Sequence, residues 1–323
     1  MSPDSHQHIV LGAGPLGRAV VKALAERGRS VRVVSRRGRP LADRPEVAVT
    51  AADLYTPSAV EAATRGAAVV YQCAQPEYHE WPEKFPPLQA AILEGLARHP
   101  AAARPKLVIA ENLYMYGDPQ GQPLREDTPL RPHTRKGRVR AELSAAALAA
   151  HQAGTVRVAL GRASDFFGPH VLGSSLGDRV FYPALAGRAA QVVGRLNVPH
   201  THTSVADFGR ALVALGEHEA ALGQAWHVPN DQPEITQGEI VRLIFAALGR
   251  PARVSAAPRW AVQLVGLFNP GARETVEMLY EFERPFVVDS SKFERAFGLR
   301  ATPLLEALAQ TVAWYQAHPA PRA

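Results

Sequence analysis

The 323-residue chain is predicted to be an α/β protein: a doubly wound parallel sheet with a smaller mixed C-terminal domain. Three observations carry that expectation. Short apolar runs alternate with helix-like stretches through the first half, and continuous apolar strands between helices belong in a parallel sheet covered on both faces. The first strand turns into the first helix through a glycine pattern. After about residue 165 the alternation gives way to proline and glycine punctuation, at Gly168-Pro169, Tyr182-Pro183 and Gly194-Arg195.

The glycine pattern is the most specific of the three. His8-Ile9-Val10-Leu11 reads as a strand, Gly12-Ala13-Gly14-Pro15-Leu16-Gly17 follows, a helix-like stretch covers residues 18–27, and Val31 to Val34 reads as the next strand. This is G-x-G-x-x-G inside a complete βαβ unit, the setting of a Rossmann dinucleotide site. Gly12 permits the tight turn, Gly14 lets backbone approach a pyrophosphate, and Gly17 lets helix and strand pack closely. The helix N-terminus adds unpaired N–H groups and a positive dipole end, with Pro15 and Leu16 beside them. At the end of the second strand such units usually carry Asp or Glu for the ribose hydroxyls of NAD. This chain has Ser35-Arg36-Arg37-Gly38-Arg39. With no carboxylate to repel a 2′-phosphate and guanidinium groups to grip one, the expected cofactor is NADP(H), contacted by Ser35, Arg36 and Arg37.

Further strands are expected at residues 47–50, 67–72, 106–110 and 156–160, and helices at 58–65, 88–98 and 137–152. A helix at 205–215 and a short strand at 225–228 look like a return to the first domain, with another helix at 237–249. The expected division is an NADP(H)-binding domain over residues 1–165 with a return segment at about 196–228. Residues 166–195 and 229–323 then form a smaller substrate-binding domain.

Composition narrows the classes. Hydrophobic residues at 46% and charged residues at 20% describe an ordinary globule. The net charge of +6 and the run Arg135-Lys136-Gly137-Arg138-Val139-Arg140 invite a nucleic-acid reading, but aromatics are not interleaved with the basic runs and no nucleic-acid motif is present. The single cysteine, Cys73, excludes an internal disulfide, and neither His6/His8 nor His200/His202 has acidic or sulfur partners at metal-ligand spacing, so no metal is expected. The first seven residues lack the pattern of a secretory leader and no apolar run is long enough to span a bilayer, so a cytoplasmic location is expected.

Further motifs resemble those of the extended, atypical short-chain dehydrogenase/reductases, the superfamily of nucleotide-sugar epimerases and dehydratases. Asp53-Leu54 resembles the pair that touches adenine there. Tyr71-Gln72-Cys73-Ala74 stands where that family lays backbone along the cofactor, which implicates Cys73 and Ala74. Tyr116-Gly117, Glu126-Asp127-Thr128-Pro129, the run from Arg162 to Pro169, Ser204-Val205-Ala206-Asp207 and Asp289-Ser290-Ser291-Lys292 resemble later family motifs. The resemblance implies substrate contacts from Asp165, Phe166, Phe167 and His202, to which the aromatic segment after the fourth strand adds Tyr78 and Trp81.

The family's catalytic Tyr-x-x-x-Lys is absent. Lys136 stands in the Tyr place and Arg140 in the Lys place, and Asn112 replaces the family's Ser or Thr. Tyr114 falls where family dehydratases carry a catalytic Glu. Asn112, Tyr114 and Tyr116 share one face if the fifth strand persists. Asn112 could then orient a carbonyl oxygen through its NH₂ group, and Arg140 could hold ribose hydroxyls or favour a developing oxyanion. Proton supply falls to Lys136, whose ammonium could also reach the cofactor, or to Tyr114. The leading expectation is an NADPH-dependent enzyme reducing a small-molecule aldehyde or ketone, without nucleic-acid or membrane partners. A homodimer is possible through the long helix. A nucleotide-sugar epimerase or dehydratase and a non-catalytic NADP(H) sensor are the alternatives.

Overall fold

The computed structural model describes residues 7–268 and 270–320; the leader expectation for the first residues falls almost wholly outside them. In chain order the elements are β1 (Gln7–Leu11), α1 (Pro15–Ala25), β2 (Val31–Ser35), β3 (Ala48–Ala51), α2 (Pro57–Ala63), β4 (Ala67–Gln72), α3 (Trp81–Ala97), β5 (Lys106–Glu111), α4 (Arg135–Gln152) and β6 (Arg157–Arg162). There follow β7 (Phe166–Phe167), α5 (Asp178–Leu185), β8 (Ala190–Val193), β9 (Thr203–Ser204), α6 (Val205–Glu217), β10 (Ala225–His227), α7 (Gln237–Ala247) and β11 (Val254–Ala257). Helices α8 (Arg259–Gly266), α9 (Pro270–Val276), α10 (Tyr280–Glu283), α11 (Ser291–Phe297) and α12 (Leu304–Ala317) complete the chain.

Seven strands form one sheet in the order β10-β6-β5-β4-β1-β2-β3. The pairs from β3 through β6 are all parallel. The order reverses between β1 and β4, so their carboxyl ends open the crevice in which such sheets bind ligands. The predicted doubly wound Rossmann fold is therefore the observed one. Its core joins sheet residues Ile9, Leu11, Val70 and Ile109 to Phe85 and Ile92 of α3 and Leu143 of α4.

The chain divides into two compact units. The first runs to Met115 and adds Lys136–Arg162 and Phe208–Trp226; the second comprises Tyr116–Arg135, Ala163–Asp207 and the chain from His227 onward. The second unit has its own core, built on Phe167, Phe181, Ile240, Ile244, Phe245, Leu308 and Tyr315, and two short parallel pairs, β8 with β11 and β7 with β9. Residues 116–135 and 196–207, grouped with the first domain in the sequence reading, lie in this second unit. Backbone pairing is the reason. Leu124 exchanges hydrogen bonds with Val287 and Asp289 at 2.8 and 2.9 Å, while Phe286 bonds to both Pro199 and Thr201 at 2.9 Å.

Two element readings are corrected. Helix α3 starts at Trp81, seven residues before the expected 88, although Pro82, Pro86 and Pro87 lie within it. Burial of Trp81, Phe85, Leu88 and Ile92 along one face outweighs the propensity loss. Strand β5 ends at Glu111, and Tyr114–Tyr116 forms a single 3-10 turn, so Asn112, Tyr114 and Tyr116 do not continue one strand face. Asn112 Oδ1 takes the Tyr114 backbone N–H at 3.4 Å, a local turn that competes with strand extension.

Candidate active site

The glycine turn after β1 has the shape its sequence implies. Gly12 adopts φ +109°, and a side chain there would meet the Ala74 backbone nitrogen at 2.8 Å. A side chain on Gly17 would run into the Gly12 carbonyl oxygen, whereas one on Gly14 would meet nothing within 4 Å among the described residues. Gly12 and Gly17 are thus required by the fold. Gly14 is exposed, precedes α1 with no side-chain cap, and leaves its backbone open to an approaching ligand. Pro15 occupies the first helical turn and Leu16 packs inward.

Around this turn lie the other expected cofactor contacts. Ser35 Oγ accepts the Gly38 backbone N–H at 3.2 Å, and Arg36 and Arg37 are exposed on the loop that follows. Asp53 is committed locally: its carboxylate accepts the Tyr55 N–H at 3.0 Å and the Thr56 hydroxyl at 3.1 Å, fixing the turn into α2, while Leu54 is buried. The Cys73 N–H donates to the Leu11 carbonyl at 2.9 Å, which ties the end of β4 to β1. Burial pushes the Cys73 thiol up to about 12, so it stands there as a neutral thiol.

Beyond β4 and β5 an aromatic cluster receives the helix α4 cations. Lys136 is fully buried, with Nζ 4.4 Å from the centre of the Tyr78 ring. The Tyr78 hydroxyl donates to the Tyr114 hydroxyl at 3.2 Å, and Trp81 packs edge-on against Tyr78 at 5.1 Å. The Arg140 guanidinium lies over Trp81 and Phe85 at 5.5 and 5.0 Å; it donates from Nε to Asn112 Oδ1 at 3.1 Å and from Nη2 to the Ala110 carbonyl at 3.2 Å. Burial lowers its proton affinity, an effect the Glu111 charge opposes. Lys136 is therefore an aromatic-capped cation, not a lysine on a solvated face, and two of Arg140's donors are engaged by protein. Because Asn112 Oδ1 accepts from Arg140 and Tyr114, the NH₂ group is the donor end of this side chain.

The remaining expected residues belong to the second unit. Asp165 Oδ2 lies 2.9 Å from His200 Nε2, Phe166 and Phe167 form β7, and His202 is buried with its ring 4.6 Å from that of His200. Burial, and then the neighbouring His200, hold His202 well below the ordinary histidine value. Sequence reasoning passed over Glu281 in α10 and placed His200 only with His202, in the segment where the resemblance implies substrate contact. Glu281 is fully buried, and burial and then the Asp165 charge push its carboxyl well above the ordinary range. Asp207, in a family-like motif, accepts from the Thr302 N–H at 2.8 Å and hydroxyl at 2.7 Å and anchors the chain before α12.

The model of the NAD dependent epimerase/dehydratase family matches residues 8–228, and the chain belongs to that family. A curated relative, dTDP-glucose 4,6-dehydratase of Streptomyces griseus, is 27% identical over 229 residues, covering 70% of this chain and 62% of that protein's length. Among solved structures, dTDP-glucose 4,6-dehydratase from Bacillus anthracis in complex with NAD superposes with a TM-score of 0.78 at 19% identity, covering 97% of both chains. UDP-N-acetylglucosamine 4-epimerase from Bacillus cereus gives 0.77 at 13% identity, over 98% of this chain and 99% of the other. These two likenesses are likenesses of fold.

Proposed function

We propose that this chain holds a nicotinamide dinucleotide along the Gly12–Gly17 turn and acts by hydride transfer at a hydroxyl- or carbonyl-bearing carbon of a sugar-type substrate, as an epimerase or dehydratase does. The observation that carries the reading is the match to the family model across residues 8–228, taken with a glycine turn whose only unobstructed position is Gly14. A bound nicotinamide would supply the hydride acceptor or donor. The α1 N-terminus and Gly14 would receive the phosphates, Ser35, Arg36 and Arg37 the adenosine ribose end, and Leu54, Cys73 and Ala74 the flanking surfaces. The Asn112 NH₂ group, aimed by Arg140, would donate to the substrate oxygen. Lys136 and the Tyr78–Tyr114 pair would move the proton.

A second reading, an NADPH-dependent reductase of simple aldehydes and ketones, is favoured by the Ser35-Arg36-Arg37 loop, which offers cations where an NAD site offers a carboxylate. Fluorescence titration of the purified chain with NADH and NADPH tests both. Saturable binding of either supports the site, and binding of neither contradicts it. In an Arg36→Glu, Arg37→Glu variant, NADPH affinity should fall about tenfold or more with little change for NADH, as loss of charge-assisted phosphate contacts implies. Equal effects on the two would remove the case for NADP.

A further inference from the structure

Exposed large apolar side chains are concentrated in one place on the second unit. Nine are exposed among the described residues, and five of them, Trp260, Leu264, Val265, Leu267 and Phe268, belong to α8 and the turn that ends it. Single exposed apolar residues need no explanation, whereas a contiguous group marks a contact surface. Spacing makes these five one group. Trp260, Leu264, Leu267 and Phe268 fall at i, i+4, i+7 and i+8, which a helix brings to one side, and Val265 flanks them. The Leu267 and Phe268 N–H groups bond to the Leu264 and Val265 carbonyls at 3.3 and 3.1 Å, so the helical path carries both residues into the stripe. Val262 and Gly266 fall on the opposite side and are buried, which seats α8 in the protein by that side. Trp260 is left 68% exposed and Phe268 87%.

The charges around α8 decide what covers the stripe. Arg273 donates from Nε to the Gly266 carbonyl at 3.0 Å and from Nη2 to the Leu267 carbonyl at 3.2 Å, which caps α8 and sets a cation at its C-terminal end. Before its N-terminal end, the Gly194 N–H bonds to the Ala257 carbonyl at 3.0 Å, and the exposed Arg195 follows Gly194. The acids of the neighbouring helices are engaged within the protein. Arg259 holds Glu283, while Arg135 holds Glu274 with its side chain and Glu277 with its backbone N–H. The stripe is therefore apolar along its length and positive at both ends. Two copies meeting over it about a two-fold axis would bring arginine toward arginine, in chains that each carry a net charge of +6. An anionic lipid surface satisfies both features at once. Trp, Leu and Phe side chains enter the boundary between headgroups and acyl chains, and the arginines meet the phosphates.

We propose that α8 and the turn through Phe268 form a contact surface for anionic lipid headgroups, by which the chain rests on a membrane without entering it. No helix among the described residues is long and apolar enough to cross a bilayer, and a helix lying in the surface plane needs no such run. The expectation of no membrane partner rested on the absence of a spanning run alone. The proposal is independent of the reaction assigned above.

Flotation of the full-length chain with vesicles tests it, using phosphatidylcholine alone and phosphatidylcholine mixed with phosphatidylglycerol. The chain should float with the mixed vesicles and stay behind with the neutral ones. Salt at about 1 M, where the Debye length is about 3 Å, should release it. Trp260→Ser combined with Phe268→Ser should weaken flotation at least about tenfold while keeping the parent's Tm, since both side chains are exposed. Arg195→Gln should weaken it about fivefold, the worth of one cation near such a surface. No flotation with the mixed vesicles, equal flotation with both kinds, or full flotation of the double variant would overturn the proposal. So would a dimer in sedimentation velocity without lipid that the double substitution abolishes, because a second copy would then cover the stripe.

Discussion

At the scale of single residues, the three glycines of the first turn have separable roles. Gly17→Ala places a methyl group against the Gly12 carbonyl, so it should lower Tm and cofactor affinity together. Gly14→Ala meets open space, so it should leave Tm nearly unchanged while weakening dinucleotide binding about tenfold or more by blocking close backbone approach. Paired thermal melts and binding titrations separate the two. Glu281 makes a second prediction, for pH. Its carboxyl holds its proton in the folded state well above the ordinary value of 4.5, so the folded chain binds more protons than the unfolded one above that pH. Its contribution to stability is full below about 4.5 and lost as pH rises through the raised value. His202 acts oppositely: its neutral form favours folding above the ordinary 6.5 and that contribution is lost as pH falls below it. Glu281→Gln should therefore flatten the decline in denaturant-measured stability on the alkaline side and leave the acidic side. An unchanged alkaline slope would contradict the assignment. The glycines were legible in the sequence because their roles follow from local backbone sterics. Glu281 was not, because its burial arises from segments far apart in the chain.

At the scale of elements, the strands were readable because each is a continuous apolar run, and the register of β1, β4 and β5 simply aligns those runs. What failed was punctuation. The helix expected at 88–98 starts at Trp81, across Pro82, Pro86 and Pro87, because Trp81 and Phe85 are core residues and packing decides the matter. The rebuilt site depends on the same junctions, since the Asn112 turn ends β5 early and lets Arg140 reach the Ala110 carbonyl. Beneath it, β5, β6 and α4 are tied by a buried ion pair. Arg162 Nε donates to Glu111 at 2.9 Å, and Arg162 and Ser144 bond at 2.7 Å. Removing one partner leaves a charge in a dry interior, so Arg162→Met should cost about 3–5 kcal/mol in chemical denaturation. Glu111→Leu combined with Arg162→Met should recover much of that loss. A single variant as stable as the parent would show that the pair does not organise these elements.

At the scale of the whole molecule, the fold class and family-like motifs were legible in the sequence, and the family match across residues 8–228 agrees with them. The reaction was less legible. Motif residues that bind phosphate act through backbone shape and keep a fixed spacing, whereas the residues proposed for the nicotinamide end, Tyr78, Asn112, Tyr114 and Lys136, come from the segment before α3, the turns after β5 and the start of α4. The central claim is that this composite site passes hydride and proton. A single-turnover experiment tests it most directly, following reduced-nicotinamide absorbance after the cofactor-loaded chain is mixed with nucleotide sugars such as dTDP-glucose and, separately, with simple aldehydes and ketones. The account predicts a redox change in the bound cofactor with a nucleotide sugar, slowed at least about tenfold in Asn112→Ala and Lys136→Met variants that still bind cofactor. A tightly bound cofactor whose absorbance never changes with any of these substrates would contradict it.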